Sequence, residues 1–427
     1  MARVILGVGA GIAAYKACGL LRLLREAGHK VRVIPTPDAL RFVGEPTWAA
    51  LSGEPVATDV WTGVDEVPHV RLGQGADLVI VAPATADLLA RAAAGMSGDL
   101  LTATLLTARC PVVYAPAMHT EMWEHPATVA NVAVLRERGA LVIDPAAGRL
   151  TGADTGPGRL PEAGELFAVA QLVLSRDQGP ARSLRARRVV ISAGGTREEL
   201  DPVRFLGNWS TGRQGYALAR SAALRGAAVS VVAANVELPD PAGARVTRVT
   251  SARDMHAAML AEADAADAVV MTAAVADFRP AARSDAKIKK DGRRPDPIAL
   301  AENPDILADL SARRDRGGRL GQVIVGFAAE TDPSPDAARA KLARKGCDLL
   351  VVNPVGNGRG FGALDNEAVV YARTGARTPI PRGAKEALAE VVWDLVSDIL
   401  DRPQSFVLRG PSRDLILVAG HKVSNPA

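Results

Sequence analysis

Chemistry in this chain can be done at two glycine-rich turns and a few isolated polar side chains. The first turn reads Gly7-Val-Gly9-Ala-Gly11-Ile12-Ala13-Ala14, between an apolar segment and an amphipathic one. Glycines at such a junction let backbone N–H groups face a phosphate. The second, Ser192-Ala-Gly194-Gly195-Thr196-Arg197-Glu198, has the same setting and leads into Asp201-Pro-Val-Arg204 and Asn208-Trp-Ser210-Thr211-Gly212-Arg213. Between the turns stand His69, the loop Ala115-Pro-Ala-Met118-His119, and the run Gly156-Pro-Gly-Arg159.

Several of these residues also have an ordinary structural reading. Thr85 and Asp99 sit where helix N-caps belong, and so do Ser210 and Gly212; a cap and a ligand contact use the same orphan amides. A lone histidine such as His69 is more often structural than catalytic. Arg204 and Asn208 are not explained by capping. The loose fingerprint Gly9-x-Gly11-x-x-Ala14 alone is weak evidence for a dinucleotide, which also expects an acid at the end of the second strand. That place reads Ile34-Pro35-Thr36 and offers a hydroxyl, which suits a mononucleotide such as FMN better.

Lysine usage is the other signal. Only nine of 51 basic residues are lysine, and five of the nine are Lys287, Lys289, Lys290, Lys341 and Lys345. Solvated-face placement is one explanation. The other is that a compact ammonium is wanted on a nucleotide phosphate. Lys341 and Lys345 are one helical turn apart, so both could face one nucleotide.

These residues need elements to hold them. A chain of 427 residues suggests two domains. In the first half, apolar strands expected at Val4–Val8, Val31–Ile34, Leu78–Ala82, Val112–Ala115 and Leu141–Ile143 alternate with helices at Ile12–Glu26, Ala86–Ala94, Leu100–Ala108 and Ala127–Arg138. A helix at Glu162–Leu174 precedes a polar linker from Ser175. A second alternation follows, with strands at Val189–Ser192, Ala228–Ala233, Ala268–Thr272, Val323–Phe327 and Leu349–Val352. Its helices are expected at Gly215–Arg225, Ala252–Ala263, Pro335–Arg344 and Lys385–Leu400. This predicts two α/β units with parallel sheets, a flavodoxin-like or Rossmann-like flavoprotein domain at 1–178 and a Rossmann-like domain at 187–402, before a tail at 403–427 expected to lack order.

Composition narrows the classes. No apolar run is long enough for a membrane span. A net charge of +4 without a dense basic, aromatic-rich tract gives no nucleic-acid signature. Cys18, Cys110 and Cys347 show no metal or disulfide spacing, and a cytoplasmic protein is expected.

The ordered motifs of the first half are Gly11-Ile-Ala-Ala-Tyr-Lys16, His69, Ala82-Pro83-Ala84-Thr85-Ala-Asp87, Gly95-Met-Ser97-Gly-Asp99, Pro116-Ala-Met118 and Gly156-Pro-Gly-Arg159. They resemble the FMN-dependent cysteine decarboxylases. The resemblance implies FMN contacts at Gly9, Gly11, Ile12, Ala13, Thr36, Pro83, Ala84, Thr85, Ser97, Asp99 and Met118. It also implies His69 as the active-site base, with FMN oxidising a substrate thiol so that the carboxylate leaves as CO₂. Two departures stand out. His119 occupies the place of the family's carboxylate-binding Asn, where an imidazole can still donate a hydrogen bond. Gly152 occupies the place of the proton-donating cysteine many bacterial relatives carry, leaving Asp154 or His119 as candidates for that proton.

The second half carries Gly194-Gly-Thr-Arg-Glu198, Asp201-Pro-Val-Arg204, Ala273-Ala274-Val-Ala-Asp277-Phe278, Lys287-Ile-Lys289-Lys290, Asn303-Pro304-Asp305-Ile306-Leu307 and Gly326-Phe327-Ala-Ala-Glu-Thr331. This set resembles the bacterial CTP-dependent phosphopantothenate–cysteine ligases. The resemblance implies that the carboxylate of 4′-phosphopantothenate attacks the α-phosphate of CTP, that pyrophosphate leaves with Mg²⁺, and that cysteine displaces CMP from the acyl-cytidylate. It implies nucleotide contacts at Gly194, Gly195, Thr196, Ser210, Gly212, Ala273, Ala274, Asp277, Lys287, Lys289, Pro304, Asp305, Ile306, Leu307, Phe327, Lys341 and Lys345. Arg204, Asn208 and Ala274 would contact the pantothenate substrate, and Asp277 the metal. Asn208 would handle the acyl-cytidylate and Lys287 the charge on the transferring phosphate.

The expected protein is thus a fused bifunctional enzyme of coenzyme A biosynthesis. Alternatives are an active ligase with an altered decarboxylase, or a flavin-binding regulatory or structural protein. Decarboxylase trimers and ligase dimers would combine into a homo-oligomer, a dodecamer.

Overall fold

The computed structural model describes residues 1–61, 65, 67–150, 154–176, 182–289, 297–319, 321–356 and 365–402. The Gly152 position, Lys290 and the tail 403–427 lie outside them.

The first half runs β1 Arg3–Val8, α1 Ala14–Glu26, β2 Lys30–Pro35, α2 Glu45–Ser52, α3 Pro68–Gly75, β3 Leu78–Ala84, α4 Ala86–Ala94, α5 Leu100–Thr107, β4 Val112–Pro116, α6 Thr120–Trp123, α7 Pro126–Glu137, β5 Leu141–Val142, β6 Ala146–Arg149, β7 Thr155–Arg159 and α8 Ala163–Leu174. β1 to β5 form one parallel sheet in the order β2-β1-β3-β4-β5. In this doubly wound order the chain changes direction between β1 and β3, and a crevice opens there at the strands' C-terminal ends. β3 is buried at every position, as a central strand covered on both faces requires. Leu20, Leu21 and Leu24 of α1 pack with Leu166 and Val169 of α8 on one face. Leu88 and Leu89 of α4, Leu101 of α5 and Val132 of α7 fill the other. Each such fully buried leucine contributes about 2 kcal/mol.

The second half runs β8 Arg188–Gly194, β9 Arg197–Glu199, β10 Phe205–Gly207, α9 Arg213–Leu224, β11 Ala228–Ala234, β12 Ala244–Val249, α10 Ala252–Ala263, β13 Ala268–Met271, β14 Phe278–Pro280, β15 Leu300–Glu302, α11 Ile306–Asp315, β16 Val323–Glu330, α12 Pro335–Lys345, β17 Leu349–Pro354, β18 Asp365–Ala372, β19 Arg377–Ala384 and α13 Lys385–Asp401. Its sheet has the order β12-β11-β8-β13-β16-β17-β18-β19. The first six strands are parallel in the Rossmann sequence, with the switch between β8 and β13; β18 and β19 extend it antiparallel. α9 and α13 pack on one face, around Leu218 and Trp393. α10, α11 and α12 pack on the other, around Met255, Leu310 and Leu342.

The halves touch through charge. Arg220 of α9 forks onto Glu165 of α8, at 2.9 and 2.7 Å, and both side chains are buried. Glu165 also accepts the N–H of Ala242 at 3.2 Å. Arg176, just beyond α8, reaches Glu390 of α13 at 2.8 Å. Among the described residues no helix is long and apolar enough to cross a membrane.

Candidate active sites

In the first half the residues expected from sequence to contact FMN lie in the loops after β1, β2, β3 and β4 and at the start of α5. Gly9 donates its N–H to the carbonyl of Pro83 at 3.0 Å. A Cβ at Gly9 would stand 2.5 Å from that oxygen, so the β1 and β3 loops close only over glycine. Thr36 follows β2; its hydroxyl is buried and has no hydrogen-bond partner among the described residues. Thr85 Oγ1 accepts from Leu88 N–H at 3.2 Å and caps α4. Asp99 caps α5 through a reciprocal box with Thr102 and pairs with Arg91 at 2.6 Å. The backbone N–H of Thr102 and the Arg91 charge outweigh burial and hold the Asp99 carboxyl below its ordinary range. Leu101, in the first turn of α5, packs against Gly7 and so sets this cap beside β1. Ile12 and Met96 flank the same edge, 76% and 53% exposed, and Ser97 beside Met96 is exposed too.

His69 is the second residue of α3. Its carbonyl accepts from Thr107 Oγ1 at 2.7 Å, which fixes α3 on α5, and its ring Nδ1 is buried without a partner among the described residues. Val67 just before it has φ 45°, a strained conformation for a β-branched residue. His119 stands at the N-cap position of α6 without a side-chain capping bond and is exposed. Its loop is bound to the β6–β7 hairpin: Met118 N–H donates to Gly158 O at 3.0 Å and Thr120 Oγ1 to Pro157 O at 2.9 Å. Cβ atoms at Gly156 and Gly158 would fall 2.4 and 2.2 Å from Thr120 and Met118. The Gly-Pro-Gly-Arg run is therefore a strand pressed onto the His119 loop. The three cysteines are unpaired and pack in or beside the cores, where burial pushes their thiols up, Cys347 to about 11.

The second half holds a cavity of about 920 Å³ at the C-terminal ends of β8, β13 and β16. Gly194, Asn208, Ser210, Gly212, Ala273, Ala274, Asp277, Pro304, Asp305, Ile306, Leu307, Phe327, Lys341 and Lys345 line it, as expected from sequence. Asn208 Nδ2 donates to Val275 O at 3.0 Å, which fixes the amide on the wall. Lys341 pairs with Glu330 at 2.8 Å and Lys345 with Asp305.

Five expected residues lie off that wall. Gly195 bridges to Ala274, and a Cβ there would meet Asn208 O at 2.6 Å. Thr196 is fully buried and its hydroxyl accepts Ala276 N–H at 2.9 Å. Both knit the β8 and β13 loops together. Arg204 donates to Ile288 O and lies 3.2 Å from Asp201. Buried Asp201 also accepts Ile288 N–H at 3.1 Å, so this corner grips the segment on which Lys287 and Lys289 stand exposed. Burial works to raise the Asp201 carboxyl, but three backbone N–H groups and Arg204 hold it below its usual range. The cavity also takes in Arg213, which stands where the ligase motif usually has Lys, and Gln214, Arg344, Asn366 and Lys385, which sequence reading did not single out. Among the described residues no three His, Cys, Asp or Glu side chains gather as a metal site.

The model of the family described as Flavoprotein matches residues 1–174. That described as DNA/pantothenate metabolism flavoprotein C-terminal domain matches residues 184–400. The chain is 57% identical over 404 residues to the coenzyme A biosynthesis bifunctional protein CoaBC of Mycobacterium tuberculosis, across 93% of this chain and 97% of that one. It is 41% identical over 401 residues to the proteins of that name from Bacillus subtilis and Vibrio cholerae, across 93% of this chain and 96% and 98% of theirs. The chain belongs to the bifunctional coenzyme A biosynthesis family. It is a flavoprotein enzyme with phosphopantothenoylcysteine decarboxylase and phosphopantothenate–cysteine ligase activities.

Proposed function

We propose that residues 187–402 ligate cysteine to 4′-phosphopantothenate at the expense of CTP, through an acyl-cytidylate, and that residues 1–178 decarboxylate the product with FMN. One observation carries the ligase reading: a single cavity brings Asn208, Ala274, Asp277, Phe327, Lys341 and Lys345 to one wall from four separate stretches of sequence. Asn208, held by Val275, keeps its amide oxygen for the activated carboxyl or the incoming amine. Asp277 is exposed on the wall, and among the described residues no cation pairs with it. One carboxylate together with triphosphate oxygens is a common way to hold Mg²⁺. Lys287 and Lys289, on the segment gripped by Asp201 and Arg204, supply charge to the transferring phosphate.

FMN fits the first half on two observations. The absence of a side chain at Gly9 lets the β1 loop close on Pro83 O at the strand ends, and the Thr36 hydroxyl beside it is a buried donor without an acceptor among the described residues. Bound there, FMN supplies the redox step that makes the cysteine carboxylate a leaving group. The chain's part is to place the substrate. His69 offers a buried ring nitrogen, and the loop of His119 is clamped by Met118 and Thr120 to the β6–β7 hairpin. That clamp favours His119 over Asp154 as the proton donor where relatives use a cysteine. Exposed Ile12, Tyr15 and Met122 beside the flavin loops, and exposed Phe205, Trp209 and Phe278 near the ligase cavity, support trimer and dimer contacts that build a dodecamer. Unpaired cysteines support a cytoplasmic setting.

The test is to supply 4′-phosphopantothenate, cysteine and CTP and follow products. CMP, CO₂ and 4′-phosphopantetheine in equal amounts are expected. Absence of CMP overturns the ligase reading. Gly152 motivates the second reading, a working ligase with a weakened decarboxylase; accumulation of phosphopantothenoylcysteine without CO₂ would establish it.

A further inference from the structure

The segment that carries Lys287 and Lys289 is fastened to one corner of the ligase half. Arg283 pairs with Glu199 at 2.5 Å. Ser284 N–H donates to Leu200 O at 3.0 Å. Ile288 N–H donates to Asp201 Oδ2 at 3.1 Å, and Arg204 donates to Ile288 O. These ties differ in strength. Arg283 and Glu199 are each about half exposed, and an exposed pair of this kind contributes little. Asp201 is 1% exposed, so its bonds are made away from water and count for more.

The two oxygens of Asp201 have separate tasks. Oδ1 accepts the N–H groups of Val203 and Arg204, both at 2.8 Å, and closes the local turn. Oδ2 accepts the N–H of Ile288, 87 residues further along the chain, and lies 3.2 Å from Arg204 Nε. That N–H belongs to the peptide group between Lys287 and Ile288. The Ile288 carbonyl belongs to the next one. Asp201 and Arg204 therefore hold both peptide groups that flank Ile288, whose own side chain is 45% exposed. Among the described residues Lys287 has no side-chain partner, so this backbone hold sets its place.

The same corner leads directly to Asn208. β10 starts just after Arg204 and ends just before Asn208, whose amide is fixed on Val275 O at the cavity wall. Lys287 itself lies off that wall.

We infer that Asp201 is a positioning residue of the ligase reaction, which holds the Ile288 peptide groups and so keeps Lys287 in register with Asn208. This rests on the ligase reading above and deepens it. The carboxylate touches no reacting atom. It acts through Lys287, whose charge serves the transferring phosphate only when it is held in place.

Asp201→Asn separates the two tasks. The amide oxygen still closes the turn, a common place for Asn, but the amide nitrogen standing for Oδ2 cannot accept the Ile288 N–H. In the full chain kcat for CMP formation should fall roughly ten- to hundredfold, with KM for CTP and phosphopantothenate within about twofold of wild type. The effect should vanish where Lys287 is absent, so that D201N with K287A is as slow as K287A alone, within about twofold. A D201N that matches wild type in kcat overturns the inference. So does one that slows K287A by the factor it slows wild type. Ile288→Pro removes the same bond from an exposed residue and does not depend on D201N folding. It should lower kcat by a similar factor, and a wild-type kcat overturns the inference.

Trypsin reads the hold without any ligase chemistry, because it cuts after Lys287 at the peptide whose N–H Asp201 accepts. Cutting at that bond, followed by mass spectrometry, should be roughly tenfold faster in D201N. Equal rates overturn the inference. A wild type that makes no CMP while D201N is cut faster keeps the hold on the Lys287 segment and overturns the ligase chemistry instead.

Discussion

The two halves carry their candidate chemistry on the same edge of the same kind of sheet, yet they finish it differently. In the ligase half, α11, α12 and the starts of α9 and α13 wall in a cavity of about 920 Å³, on which Lys341, Lys345 and Asn208 have partners. In the decarboxylase half, Ile12 and Met96 stand exposed beside the crevice, and Thr36 Oγ1 and His69 Nδ1 are buried without partners. The ligase crevice is largely complete within one chain. The flavin edge is shallower, with those two apolar side chains exposed beside it and the two buried polar atoms without partners among the described residues. Two Rossmann-like sheets in one polypeptide thus divide between a built cavity and an open edge, and the division can be tested half by half.

The largest effects should come from removing one chemical group in each half. His69→Ala should lower decarboxylation by about 10²- to 10⁴-fold, the usual reach of a proton-transferring group, and leave CMP formation intact. Asn208→Ala should lower CMP formation by about 10²- to 10³-fold and leave decarboxylation of supplied phosphopantothenoylcysteine intact. Mixing the two variants should restore the complete sequence of reactions in solution. Loss of both activities from either single change would break the division into separate sites.

Next in size is the joint between the halves. Arg220 and Glu165 are both buried, and Arg220→Met leaves a carboxylate without its partner. Glu386, which Arg220 also holds, loses its partner as well, and breaking one such buried pair alone costs about 3–5 kcal/mol. Calorimetry should show a lower transition, with the two halves unfolding apart; an unchanged single transition would mean the joint does not couple them.

Gly9→Val should have a narrower consequence. Its Cβ would press on Pro83 O, so the β1 loop must open. Flavin absorbance of the purified protein should drop by roughly tenfold or more while CMP formation stays within about twofold. Retained flavin would show that the β1 loop is not where FMN sits.

How much of this could be read from sequence follows from where the information is local. Ala86–Ala94 and Ala252–Ala263 come out as expected end to end, because Thr85 and Ser251 cap them and Gly95 stops the first in a left-handed turn. The Rossmann alternation was legible for the same reason. α11 and the β18–β19 hairpin were missed: α11 is polar on balance, and the hairpin strands are half exposed, so neither shows a clean apolar period. Motif residues gathered on one wall wherever a strand end carries them. Arg204 and Thr196 carry motif letters but serve the framework, since a hydrogen-bond partner 80 residues away leaves no trace in local spacing. Lys385 was passed over as the first residue of an ordinary helix. Only the fold brings it to the cavity wall.

The smallest expected effect concerns acid stability of the flavin edge. Asp99 accepts the N–H of Thr102 at 2.8 Å and pairs with Arg91 at 2.6 Å, and its carboxyl lies below the ordinary range once these offset burial. A carboxylate with a depressed folded pKa adds stability that is fully present above its unfolded value, near 3.9, and is lost as pH falls through the folded value. Asp99→Asn keeps an oxygen to cap α5 and removes only the charge. The first half should therefore be less stable than wild type at neutral pH, and the difference should shrink as pH falls through the lowered folded value of Asp99. Asp267, on the ligase half, offers the matching control. Burial opposes its ionisation, but Arg188 N–H and Arg319 hold its carboxyl low, and Arg187 adds to them. Asp267→Asn should produce the same acid-side convergence in the transition of the ligase half alone. If D99N shifted the ligase transition as well, the two crevices would share their stability, and the contrast between a finished cavity and an open edge would have to be redrawn as one cooperative unit.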